Sequence, residues 1–187
     1  MTKYVGIVLS GDFNTLASIA RAEGWLVHAT SQWRFISGSD VGFWLPSGTV
    51  VGWANVTRYG VSLVAMHDAP DQEAILDRIK GPLGLADLPE TAARWRAAED
   101  PSDRLHALHA LIAMHMVLGG EPEPSIEAAL REALGDPHPV LRLSALRALQ
   151  FVPAKKALEL LGDRDDPENP GLARWRQAFA EAAAADE

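Results

Sequence analysis

Cysteine is absent from this chain of 187 residues, which excludes disulfides, thiol nucleophiles and thiolate metal sites. Long apolar runs are missing too: no segment approaches the roughly 18 consecutive apolar residues of a membrane span. The opening stretch, MTKYVGIVLSGDF, carries one lysine and a short apolar run broken by Ser10, Gly11 and Asp12. That is too short for a secretory leader, and the expectation is a soluble, cytoplasmic protein with no membrane contact. Positive charge is also in short supply. Lys and Arg number 17 against 25 Asp and Glu, a formal net charge of −8. Residues 1–88 hold 6 basic and 8 acidic residues, residues 89–187 hold 11 and 17, so the excess of acid lies mainly in the second half. Binding to a nucleic-acid backbone draws on counterion release by Lys and Arg, and this balance argues against it. An acidic surface more naturally meets a basic partner.

What is present divides in two. The first 88 residues alternate like strands. YVGIVLS is apolar and β-branched, and GDFNTLASIARAEG changes to helical spacing with Leu16, Ile19 and Ala20 on one face. WLVHATSQWRFIS resumes strand character, with Trp33 and Phe35 on the same side. VGFWL, TVVGWANV and VSLVAM follow as strands separated by PSG and TRYG turns. PDQEAILDRIK reads as a helix ended by Gly81-Pro82. Short connections favour an antiparallel meander covered by one or two helices, an α+β arrangement. GLADLP, at 84–89, is the expected junction. Beyond it, from about residue 89, alanine and leucine recur at helical spacing: Leu105, Leu108, Leu111 and Ile112; Ile126, Ala129 and Leu130; Leu141, Ala145, Leu146 and Leu149. The expectation is therefore an α+β unit over 1–88 and a helical unit over 89–187.

Three turns in the second half share their punctuation: AEDPSD at 98–103, LGDPHP at 134–139 and LGDRDDPENP at 161–170. Each places an Asp beyond an apolar helix end, followed by prolines that suit the first turn of the next helix. HALHAL at 106–111 aligns with SALRAL at 144–149, and ARWR occurs at 93–96 and again at 173–176. The segment IEAALREALGDPHPVLRLSALRAL resembles a HEAT repeat. It has an apolar helix, an Asp-Pro turn, then a second helix opening Val-x-Arg and continuing Ala-Leu-x-Ala-Leu, matched by Val140, Arg142, Ala145, Leu146, Ala148 and Leu149. The first unit, 90–118, departs in having Arg104-Leu105-His106 where Val-x-Arg would sit, and the third, 154–183, keeps only the turn and a helix with Trp175 and Phe179. The resemblance implies a short α-solenoid, in which stacked helical pairs bury what one pair cannot. The first half would cap one end of it, through Trp95 or the helix at 71–80.

Candidate chemistry is sparse. Trp25, Trp33, Trp44 and Trp53 crowd into 29 residues, and Trp33, Phe35 and Trp53 could stack on a ligand from one sheet face, or form the core of a small domain. SGDFNT could hold an anion at a helix N-terminus or simply cap it. His67 and Asp68 end a strand where catalytic pairs often sit, with no nucleophile or third partner fixed by spacing. His106 and His109 are three apart on one helix and His115 turns away from them, so no metal site is expected. No motif calls for a cofactor. Arg142, Arg147, Lys155 and Lys156 form the one basic cluster, a candidate partner or nucleic-acid surface, with Glu159 and Asp163 nearby to weaken its field. The expectation is a non-enzymatic interaction protein, with an acidic inhibitor or immunity-type protein masking a basic target as its specific form. A Trp-lined small-molecule or enzyme site is the alternative, and nucleic-acid binding through the basic cluster is a further one. An exposed strand edge could also pair two copies.

Overall fold

The computed structural model describes residues 3–28, 41–67, 69–163 and 171–185. The chain is α+β: strands β1 (Lys3–Val8), β2 (Leu26–His28), β3 (Val41–Trp44), β4 (Val50–Val56), β5 (Val61–His67) and β6 (Leu85–Ala86) form one six-stranded sheet in the order β2-β3-β4-β5-β1-β6. Every pairing is antiparallel. The β2–β5 meander brings β5 back beside β1, with Val5 opposite Ala65 and Ile7 opposite Leu63.

Alternation gives the sheet two apolar faces. On one face Phe43, Val51, Trp53, Val64 and Met66 pack on helices α1 (Phe13–Ala22) and α2 (Gln72–Leu83) through Leu16, Ala20, Ile75, Ile79 and Leu83. Asp12 starts α1 with a capping box, accepting from the Thr15 backbone at 2.8 Å. On the other face Val5, Ile7, Ala54, Val56, Val61, Leu63 and Ala65 meet α3 (Leu88–Ala97) and α4 (Pro101–Leu118).

Two local expectations change. Helix α2 does not stop at Gly81-Pro82. It runs to Leu83, which is fully buried, and ends at Gly84 in the left-handed region at φ 55°. A proline so close to the C-terminus loses little, whereas burying Leu83 holds the last turn. The junction GLADLP also contains β6, which pairs Leu85 and Ala86 with Val8 and Ile7. Two residues carry too little pattern to announce a strand.

Beyond α4 the chain continues through α5 (Pro124–Ala133), α6 (Pro139–Ala148), a 3-10 turn at Leu149–Phe151, α7 (Ala154–Leu161) and α8 (Leu172–Ala185). Helices α3 to α6 each carry a proline in the first turn, where the missing N–H would be unpaired in any case. The helices stack in pairs. The first members pack in a row, α3 on α5 and α5 on α7, and α4 packs on α6. Helix α4 is apolar nearly all round, and Leu108, Leu111 and Met114 are completely buried, because sheet, α3, α5 and α6 surround it. It joins the sheet and the stack in one continuous core. The sheet face, rather than α2, therefore covers the end of the stack. Trp95 points the other way along it, donating from Nε1 to Glu132 of α5 at 3.0 Å.

Polar side chains tie the helices together within and between pairs. Arg104 of α4 reaches Glu132 at 2.8 Å and Asp136, in the α5–α6 turn, at 3.3 Å, with its guanidinium 4.5 Å from the Trp95 ring centroid. Arg142 of α6 donates to the Asp136 and Pro137 carbonyls at 2.9 and 2.8 Å, and Arg176 of α8 donates to the Gly162 carbonyl at 3.0 Å. On the first-helix row Lys156 stands 3.0 Å from both Glu127 and Glu159, and Arg131 bonds the same two carboxylates.

Candidate functional site

Helix α6 buries Leu141, Ala145, Leu146 and Ala148 and turns a second stripe outward. Val140 and Leu143 on that stripe are 44% and 39% exposed, although each would be at home in a core. Residues 140, 143, 144 and 147 share one helical face, so Ser144 and Arg147 continue the line. Ser144 Oγ lies 3.4 Å from His109 Nε2 on α4. The His109 ring in turn lies 4.9 Å from the Tyr59 ring, in the turn between β4 and β5. Tyr59 is held there by its N–H to the Val56 carbonyl at 2.9 Å, and Gly60, at φ 65°, closes the turn.

Two guanidinium groups flank this junction. Arg58 lies over the Tyr59 ring at 5.8 Å, and Arg147 is near enough to act on the same phenol. Burial pushes the Tyr59 phenol up, while Arg58 and Arg147 pull it back. Among the described residues neither guanidinium stands in an ion pair. His109 is held below its ordinary value by burial, offset in part by its hydrogen bond to the Tyr59 backbone. It is a neutral, packed ring at neutral pH. The whole stretch from Pro137 to Leu158 contains no Asp or Glu, so α6 itself sets no carboxylate beside Arg147.

Three residues back along α4, His106 borders a cavity of about 370 Å³ between β1, α3 and α4. Ile7, Leu9, Ala107 and Ala110 line it, with Arg94 and Asp103 beside His106.

The residues singled out by sequence fall in different places. Trp53 is buried at 3% exposure against Phe13, its Nε1 donating to Asn55 at 3.3 Å. Trp33, Phe35 and Asp68 lie outside the described residues, and His67 is the last residue of β5. The four basic residues are dispersed. Arg142 binds turn carbonyls, Lys156 binds two glutamates, Lys155 is exposed on α7, and Arg147 alone joins the α6 face. His115 is buried with Nε2 3.1 Å from the Phe151 carbonyl, and among the described residues no cluster of His, Asp or Glu could hold a metal. Asp12 occupies the N-terminus of α1 with its own carboxylate. Sequence reading passed over Arg58 and Tyr59, which looked like an ordinary TRYG turn. The signal was a cation and an aromatic side by side where the chain only needed to reverse. Comparison with known protein families, curated proteins and solved structures finds no match to this chain.

Proposed function

We propose that this protein is a non-enzymatic interaction module, a short HEAT-like stack capped by a sheet, that binds another protein on its second-helix layer. The observation that carries the reading is the outward stripe of α6. Val140 and Leu143 are presented to solvent on a rigid helix, beside an Arg147 free of ion pairs among the described residues. Exposed apolar side chains rimmed by polar ones mark contact surfaces. The HEAT-like reading draws support from the arginine contacts at successive turns and from the paired rows of helices.

The test is co-purification from the native host's lysate at low salt, run with the native chain and with the variant Val140→Asp, Leu143→Asp. A protein retained by the first and lost from the second supports the reading. The same set retained by both contradicts it.

The cavity beside His106 favours a second reading, a small amphiphilic carboxylate held with its chain on Ile7 and Leu9 and its charge toward Arg94. Octanoate should then raise the thermal midpoint, and an unchanged midpoint at saturating octanoate removes that reading.

A further inference from the structure

The chain as a whole is acidic, so a basic partner is the first expectation. The α6 face argues for the reverse. Over Pro137 to Leu158 the chain places Arg142, Arg147, Lys155 and Lys156 and no acid. Arg142 and Lys156 are engaged by turn carbonyls and glutamates. Arg147 is different: it lies exposed at the end of the apolar stripe, and the β4–β5 turn adds Arg58 from another element. Ser144, on the same face of α6 as Arg147, lies 3.4 Å from His109, whose ring meets the Tyr59 ring under Arg58, so the two cations converge on one region of the surface. A guanidinium pair without carboxylate partners among the described residues is suited to receive one, since Arg binds carboxylates through a fixed, bidentate fork.

Resting on the second-helix-layer reading above, we propose that the partner presents an acidic amphipathic segment. Its apolar side chains lie over Val140 and Leu143, and a carboxylate sits between Arg147 and Arg58. The Tyr59 ring, backed by His109, forms the floor under that carboxylate and keeps the Arg58 guanidinium in place. The net charge of −8 does not forbid this. At physiological salt, charges beyond about 8 Å are largely screened, so the local pair outweighs the distant excess of acid. For the same reason the dependence on bulk salt mixes two opposing terms, and charge reversal at single residues is the cleaner probe.

The experiment pans a displayed library of random peptides on the full chain. Affinities of the selected peptides are then measured by fluorescence anisotropy for the native chain and for Arg147→Glu, Leu143→Ser and Arg21→Glu. Arg21 lies on α1, across the sheet, and its reversal changes net charge as much as that of Arg147. The selected peptides should combine Asp or Glu with large apolar residues. They should bind about tenfold or more weakly to Arg147→Glu, as for loss of a paired interface charge, and lose affinity with Leu143→Ser, while Arg21→Glu changes little. All three positions are on the surface, so folding is checked only by an unchanged circular dichroism spectrum. Peptides that depend on Leu143 but are basic or uncharged, or that ignore Arg147→Glu, overturn the acidic partner and leave the second-helix layer standing. Peptides indifferent to both variants, or no retained peptide, count against both. Equal loss with Arg21→Glu reduces the effect to net charge and overturns the site.

Discussion

Arg104 shows how much one side chain can organise. Pro101 begins α4 and Pro139 begins α6, and each is followed three residues later by an arginine, Arg104 and Arg142. Both arginines therefore stand at the same place in the first turn of their helices, and both reach Asp136, Arg104 at its carboxylate and Arg142 at its carbonyl. Asp100 caps α4 directly, whereas Asp136 sits two residues before His138, the cap of α6. Arg104 binds Glu132 and the buried Asp136 and covers Trp95. Replacing it by alanine leaves a buried carboxylate without its cation and should destabilise the fold by about 1–3 kcal/mol, less than for a wholly buried pair because solvent reaches the guanidinium. Arg131→Ala, in a more exposed network, should cost under about 1 kcal/mol. Urea unfolding of both variants measures the difference, and equal effects would mean that Arg104 is an ordinary surface charge.

At the scale of elements, the strands were legible because apolar and β-branched residues alternate, and α4 was legible because leucine and alanine recur along it at helical spacing. The outward stripe of α6 was not. Val140 and Leu143 look like core residues in a sequence, and whether a helix face meets a neighbour depends on tertiary packing that periodicity does not encode. His115 has a comparable history. Sequence places it only away from His106 and His109; in the structure it is buried against the Phe151 carbonyl, and burial lowers its pKa from the ordinary value of 6.5. Protonation is therefore favoured in the unfolded chain. The stability this neutral ring contributes is complete above pH 6.5 and is lost as pH falls through that value toward its lower folded pKa. His109 works in the same direction. The thermal midpoint should drop between about pH 7 and pH 5, and His115→Gln, which can still donate to Phe151, should flatten that slope. A slope unchanged in the variant would assign the pH dependence to other groups.

For the whole molecule, the change of patterning near residue 88 is real in secondary structure, since α3 begins at Leu88. Packing does not stop there: α4 lies on β1 and β5 and shares their core. Sheet and stack should then unfold in one transition, with tryptophan fluorescence and far-ultraviolet circular dichroism giving the same midpoint. Leu111→Ala, at a completely buried position on α4, should cost about 2–5 kcal/mol and move both signals together. Two separated transitions would mean that the shared core contributes little. Charge is the other property that composition misplaced. The total of −8 is correct as a sum and uninformative about the α6 face, where Arg147 and Arg58 stand outside any ion pair among the described residues. The measurement that tests this account most directly is amide hydrogen exchange on the full chain with and without the most tightly bound of the selected peptides. The account predicts slowed exchange in α6 and in the Thr57–Gly60 turn, with the α1 and α2 face of the sheet unchanged. Protection on α1, α2 or the α5–α7 row, with none at α6, would contradict it.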